Sequence, residues 1–313
     1  MKKFALIFLV FNISMVSAQD FDKSKVVKRL ADIMNKNYVF PEKGKAMRDL
    51  ILSKLKSNAY DKYTTQKSFA DALEVDLRSL TNDKHIRVTY DKKRAEAIRS
   101  RDFGPGPEAN GKFGFEAVEI LEGNIGYLDL RGFMDIGMAE DVAKPAMGRL
   151  IESDAIIFDL RKNGGGSPNM IRFISSYLFG NEPVHLNTFY WRPSDSYSET
   201  WTDPSLASQT KPNIPVYVLI SDYTFSAAEE FTYNLKHLRR ATIIGETTGG
   251  GTHPGGPMII RGDFVVNVPR GRAINPVTNT NWEGVGVAPN IEVPAAKALE
   301  KALELARKAI SKN

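Results

Sequence analysis

Ile214-Pro215-Val216-Tyr217-Val218-Leu219-Ile220-Ser221-Asp222-Tyr223-Thr224-Phe225-Ser226-Ala227-Ala228-Glu229 is the stretch whose reading decides the fold. The apolar run 214–220 has the length and texture of a strand buried on both faces. Ser221 to Thr224 make a sharp polar turn, and a helical pattern opens at once from Ser226 to about Leu238. A serine at such a junction sits at the positive end of a helix, beside backbone N–H groups that the helix leaves unpaired. A nucleophile and an oxyanion hole can be built there together. The same residues also read as a plain capping box, Ser226 with Glu229 three positions on.

The strand–turn–helix unit recurs. Ala155-Ile156-Ile157-Phe158-Asp159-Leu160 reads as a buried strand ending in Arg161-Lys162-Asn163-Gly164-Gly165-Gly166, with a helix from Asn169 to Leu178. Phe115, Val118 and Ile120, and then Ile125 to Leu130, read as strands before a helix from Met138 to Ile151. Ala241 to Gly245 is a further short strand, and 259–268 looks like a hairpin about Arg261-Gly262-Asp263. The chain ends in an Ala/Leu/Lys-rich helix from Ala295 to about Ile310. Alternating strands and helices from residue 113 onward predict an α/β core.

Before that core the texture is helical. Val26, Val27, Leu30, Ile33 and Met34 recur at helical spacing, as do Ala46, Leu50, Ile51 and Leu55. Phe69, Leu73, Val75, Leu77 and Leu80 define a third helix. The expected organisation is a helical bundle over 19–90, a linker or flap over 91–112 and the α/β core with its terminal helix over 113–313. Residues 1–18 read as a secretory signal peptide: Lys2 and Lys3, an apolar stretch from Phe4 to Val16, and small residues Val16-Ser17-Ala18 before Gln19. Cleavage is expected after Ala18, and the mature protein is expected in the periplasm or outside the cell. No second long apolar run follows, so no membrane span is expected in the mature chain.

Composition narrows the chemistry. The 313 residues contain no cysteine, which excludes disulfides, thiolate metal sites and a cysteine nucleophile. The formal charge is +5, from 42 basic against 37 acidic residues, and the basic residues are scattered, so nucleic acid is not an expected partner. The four histidines have no metal-ligand spacing, and no cofactor or metal is expected. The glycine turn 164–166 is followed by Ser167-Pro168 rather than Lys-Ser or Lys-Thr, which argues against a phosphate loop. Paired glycosidase carboxylates have no motif behind them.

Each histidine can be weighed as a base for Ser226. His185 sits in a strand pattern and reads as structural. His237 lies eleven residues along the helix from Ser226, about three turns at ~1.5 Å per residue and out of reach. His253, inside the glycine loop Gly245 to Gly256, is a reserve candidate. His85 stands beside the turn Asn82-Asp83 at a strand start, a plausible cleft edge. Glu283, next to Trp282, is a carboxylate that could serve as third member.

Five stretches taken in order resemble the S41 serine peptidases, the C-terminal processing peptidases and their tricorn-type relatives. They are Leu80 to Val88 with His85, Asp159 to Gly166, Thr224 to Phe231, Gly245 to Gly251, and Trp282 to Pro289. The branch they look most like includes the interphotoreceptor retinoid-binding protein modules. The resemblance implies a ClpP/crotonase-like core behind an N-terminal helical bundle. It implies a peptide or unfolded protein as substrate, Ser226 as nucleophile, His85 as base and Glu283 as its orienting acid. It implies an oxyanion hole from the Ala227 N–H with that of Gly165 or Gly166. The processing peptidases use a lysine in the loop after the serine helix, but residues 245–256 contain none, so a Ser–His–Glu triad is expected. Tricorn-type sites place a helper serine just before the histidine, and here that residue is Lys84. Residues 91–112 are too few to hold the family's PDZ domain. The other expectation the scaffold allows is a non-catalytic carrier of hydrophobic ligands, lipid or retinoid-like, with Phe189-Tyr190-Trp191 lining the pocket.

Overall fold

The computed structural model describes residues 21–101 and 111–312. In chain order the helices and strands are α1 (Lys23–Asn37), α2 (Pro41–Lys56), α3 (Gln66–Arg78), β1 (Arg87–Tyr90), α4 (Lys92–Ser100), β2 (Phe115–Leu121) and β3 (Ile125–Leu130). There follow α5 (Ile136–Leu150), β4 (Ala155–Asp159), α6 (Pro168–Ser176), β5 (His185–Trp191), β6 (Ser196–Trp201), β7 (Val216–Ile220) and α7 (Ala227–His237). The chain closes with β8 (Thr242–Gly245), β9 (Gly255–Arg261), β10 (Phe264–Pro269), β11 (Gly271–Ile274), β12 (Ile291–Glu292) and α8 (Ala298–Ile310).

The central sheet has six strands in the order β12-β8-β7-β4-β3-β2. All its neighbours run parallel except β2 and β3. Every residue of β4 and of β7 is buried, which is why both read as unbroken apolar runs rather than alternating ones. Ile156, Phe158, Val216 and Val218 face a core shared with α5, α6 and α7. Ala155, Ile157, Tyr217 and Leu219 face the opposite side, covered by Ala298, Ala302 and Ala306 of α8. The loops at the carboxyl ends of β4 and β7 lie side by side, the usual place for a site on such a sheet.

The N-terminal helices do not complete a core by themselves. Val27, Leu30, Met34, Phe69, Leu73 and Leu77 pack against Ile260, Phe264, Val266 and Val268 of the β9–β10 hairpin. Strand β1 joins that hairpin in an antiparallel sheet of order β1-β10-β9. Val75, counted in the apolar stripe of the third helix, is instead exposed. The stripe runs through Phe69, Leu73 and Leu77, at the i, i+4, i+8 positions that share one face.

Residues 91–112, expected as a linker or flap, open with a helix. Asp91 caps α4 through the Arg94 N–H at 3.0 Å. Ala95 is buried, and Arg99 reaches Asp263 at 3.1 Å and the Gly262 carbonyl on the hairpin tip. The charged composition hid this helix, because one small buried face suffices to dock it. The expected signal peptide, 1–18, and the whole Gly/Pro stretch 104–107 lie outside the described residues. Among the described residues no helix is long and apolar enough to cross a membrane. A third sheet, of order β11-β5-β6, stands beside the hairpin and was not expected as a unit.

Phe264 ties the two regions together: its ring lies 5.4 Å from Phe21, 5.9 Å from Phe69 and 5.0 Å from Tyr90, centroid to centroid. Phe264→Ala should cost about 3–5 kcal/mol, the usual range for emptying a buried aromatic site. In urea, circular dichroism and tryptophan fluorescence should still report one coincident transition at a lower midpoint. Separate transitions would mean that helices and hairpin do not share one core.

Candidate active site

Ser226 caps α7 in an unusual backbone conformation, φ +56° and ψ −121°. A side chain at positive φ is strained and needs surrounding bonds to hold it. The turn before it supplies several. Thr224 Oγ1 accepts the Ser221 N–H at 3.0 Å and donates to the Leu160 carbonyl at 2.8 Å. The Phe225 N–H donates to the Asn163 carbonyl at 3.1 Å, joining the loops after β7 and β4. Gly165 (φ +111°) makes the close approach possible, since a Cβ there would stand 2.8 Å from the Ser226 Cβ.

Glu229 holds the corner from the other side. It is buried, and its carboxylate accepts the Ser226 N–H at 2.9 Å, the Gly250 N–H at 2.6 Å and the Gly251 N–H at 2.8 Å, with the Thr248 hydroxyl as a fourth donor. Burial raises its carboxyl above the ordinary carboxylate range, and the four donors act in the opposite direction. In the sequence Glu229 reads only as half of a capping box. The two N–H groups of the glycine loop, remote in sequence, reveal it as the clamp between the Ser226 turn and the loop.

The clamp positions His85. Its Nε2 lies 3.0 Å from Ser226 Oγ, across 141 residues of sequence. Strand β1 begins two residues later, and Asn267 of β10 donates to the His85 carbonyl at 2.8 Å, so the β1–β10 pairing sets the histidine's height. The ring packs on Phe225, centroids 4.7 Å apart. Gly251 allows this: a Cβ there would meet Phe225 Cζ at 2.1 Å and His85 Cε1 at 2.8 Å.

The acid nearest His85 is Asp83. Its Oδ1 accepts the His85 N–H at 2.9 Å, a tight Asx turn, and stands 3.7 Å from His85 Nδ1. Its Oδ2 accepts Tyr38 Oη–H at 3.1 Å and pairs with His253 Nδ1 at 2.9 Å. Burial works against charge on this carboxyl, yet the bonds with His253 and His85 prevail and hold it well below the usual carboxylate range. Glu283, expected beside His85, accepts the Thr252 N–H at 2.6 Å and lies 3.6 Å from His253 Nδ1. No hydrogen bond or ion pair joins Glu283 to His85 among the described residues. Burial raises its carboxyl above the ordinary carboxylate range; His253 acts in the opposite direction and Asp83 nearby in the same one. His253, the reserve base, engages Asp83 and packs edge-on against Phe40 at 5.2 Å rather than meeting Ser226. His185 of β5 stacks on Trp201 of β6, and His237 sits at the end of α7 against Tyr233.

Asp83, His253 and Glu283 bring three possible ligand atoms within 4.8 Å of one another. The 2.9 Å Asp83–His253 separation is that of a hydrogen bond, with Glu283 alongside at 3.6 Å from the same ring nitrogen. Asp83 was legible in the sequence only as a turn signal, and its spacing two residues before His85 was the available clue.

On the far side of Ser226 the two glycine N–H groups differ. That of Gly165 donates to Asn163 Oδ1 at 2.9 Å. Those of Gly166 and Ala227 have no hydrogen-bond acceptor among the described residues, and both residues line the cavity that holds Ser226 and His85. That cavity measures about 580 Å³, with Phe189, Trp191 and Trp282 in its walls.

The model of peptidase family S41 matches residues 124–293, and a model described as the N-terminal domain of Peptidase_S41 in eukaryotic IRBP matches residues 21–110. The chain belongs to peptidase family S41. It is 31% identical over 130 residues to the tail-specific protease of Haemophilus influenzae, a match that takes in 41% of this chain and 17% of that protein. Its fold is similar to that of a putative peptidase from Parabacteroides merdae, with TM-score 0.64 and 21% identity over 92% of this chain and 97% of the other. It is also similar to the photosystem II D1 C-terminal processing protease, with TM-score 0.59 and 15% identity over 93% and 98% of the two chains. At such identities the structural likeness is one of fold: an α/β core with a central mixed sheet and an N-terminal helical region.

Asp83→Asn tests the buried network. Removing a buried charge that accepts from Tyr38 and His253 should cost about 3 kcal/mol at pH 7. The depressed carboxyl contributes stability above its unfolded pKa of about 4, and that contribution is lost as pH falls through the folded value. The gap between the two proteins in urea melts should therefore narrow as pH falls from about 4 downward. A gap that widens on acidification would contradict the assignment of a charged Asp83.

Proposed function

We propose that this chain is an exported serine peptidase that hydrolyses peptide bonds through an acyl-enzyme on Ser226. The observation that carries the reading is the 3.0 Å approach of Ser226 Oγ to His85 Nε2, at a strained turn with two open N–H groups beside it. His85 Nε2 takes the Ser226 proton as Oγ attacks the substrate carbonyl carbon. The carbonyl oxygen gains negative charge and is held by the N–H groups of Ala227 and Gly166. His85 then gives the proton to the leaving nitrogen, the peptide C–N bond breaks, and water activated by the same ring releases the acyl group. Asp83 fixes the backbone of His85 through the His85 N–H. The ring Nδ1 stands 3.7 Å from Asp83 Oδ1 without a hydrogen bond, and the carboxylates of Asp83 and Glu283 place negative charge near the imidazolium that forms. In this reading Glu283 acts through the His253–Asp83 network rather than by direct contact. Export rests on Lys2, Lys3 and the apolar stretch Phe4 to Val16 with its small-residue exit.

Wild type, Ser226→Ala and His85→Ala should be compared on an unfolded substrate such as dye-labelled casein. Hydrolysis should vanish in Ser226→Ala and fall by ~10³-fold or more in His85→Ala, as expected for members of one acid–base unit. A wild type no more active than Ser226→Ala would sink the peptidase reading.

A further inference from the structure

The cavity beside Ser226 contains a buried acid that the hydrolysis above does not use. Glu230 lies in the first turn of α7, four residues after Ser226, and lines the same cavity as Ser226, His85 and Gly166. It is 4% exposed, and its Oε1 has no hydrogen-bond partner. Its neighbour Glu229 is saturated with donors, so the two adjacent acids have different tasks. Burial pushes the Glu230 carboxyl up to about 7, with Asn187 acting in the opposite direction. A buried acceptor left unmatched is unfavourable, and an occupant that brings a donor removes that penalty.

The rest of the lining selects the kind of donor. Among the described residues no lysine or arginine lines this cavity, whereas Glu230 and Glu199 do. Phe189, Trp191 and Trp282 supply aromatic wall. Trp191 Nε1 donates to Ser198 Oγ at 2.9 Å and Trp282 Nε1 to the Gly251 carbonyl at 2.9 Å, so their polar edges are already engaged. Ring surface leading to a carboxyl suits a long methylene stem with a cationic end. A neutral amide would satisfy Oε1 but would leave the excess of negative charge uncompensated.

We propose that Glu230 sets substrate specificity, taking the ammonium or guanidinium of a lysine or arginine adjacent to the scissile bond while the aromatic walls hold its stem. This rests on the peptidase reading and names the substrate class of that same site. A positive charge beside Glu230 also favours its ionised form, so binding and ionisation reinforce each other.

The test uses paired fluorogenic peptides that differ only in lysine or norleucine next to the cleaved bond. The wild type should favour lysine by ~10-fold or more in kcat/KM, and Glu230→Gln should lower that ratio at least ~10-fold whatever its absolute rate. Glu230→Asp, which keeps the charge, should retain a lysine preference. A second arm works without catalysis: in Ser226→Ala, calorimetry should show tighter binding of a lysine-centred pentapeptide than of its norleucine twin. The difference should disappear in Ser226→Ala/Glu230→Gln. A wild type that prefers norleucine, or a ratio unmoved by Glu230→Gln, overturns the assignment while leaving the peptidase reading intact. A wild type that a fluorophosphonate fails to label, with no hydrolysis, strikes the peptidase reading instead, and the calorimetric pair then decides Glu230 alone. Should Glu230→Gln fail to fold, the lysine–norleucine ratio of the wild type decides.

Discussion

The carboxylate of Glu229 is the constraint on which the reactive corner depends. It gathers N–H groups from Ser226 and from Gly250 and Gly251, two segments separated by more than twenty residues. Those bonds add to the ones that the Thr224 turn makes around Ser226, and they tie the glycine loop directly to the strained serine. The loop in turn decides where His85 sits, because its ring has room only where Gly251 carries no side chain. A single buried group thus couples the strand–helix unit that presents the serine to the loop that faces the histidine. Such support from behind is what holds a reactive geometry in place.

A second network lies on the other side of His85. Tyr38 from the end of α1, Asp83 from the turn before β1, His253 from the glycine loop and Glu283 from the loop after β11 converge there. Their elements come from both ends of the chain, and the core shared by the helices and the β9–β10 hairpin brings them together. This gives the N-terminal helices a role beyond packing. Tilting them would move Tyr38 and Asp83 and, through the Asp83 turn, the backbone of His85. Stability and site geometry are therefore linked through the same hydrophobic cluster.

The parts legible in the sequence were those with local signals. Strands β4 and β7 announced themselves because both faces are buried, and helices α1 to α3 because their apolar residues keep one face. The order of Ser226, His85, Glu283 and the glycine turn could be read, but their separations in space could not. Asp83 looked like a turn residue, since an Asx turn and a positioning carboxylate share one sequence. Glu229 and Glu230 looked like two ordinary first-turn acids, and only the packing of α7 against the glycine loop and β5 gives them different surroundings. Helix α4 was missed because its charged sequence buries little beyond Ala95. The N–H groups of Gly165 and Gly166 differ through one side chain, Asn163, whose amide oxygen takes the Gly165 N–H.

The central claim is that Ser226, His85 and two open N–H groups form one reacting unit. A crystal structure of the protein with a peptidyl boronic acid tests it most directly, since boron adopts the tetrahedral geometry of the intermediate. The account predicts a covalent bond from Ser226 Oγ to boron, and one boron oxygen within ~3.1 Å of the Ala227 and Gly166 nitrogens. A boronate that leaves Ser226 free, or an oxygen turned away from both nitrogens, would contradict it.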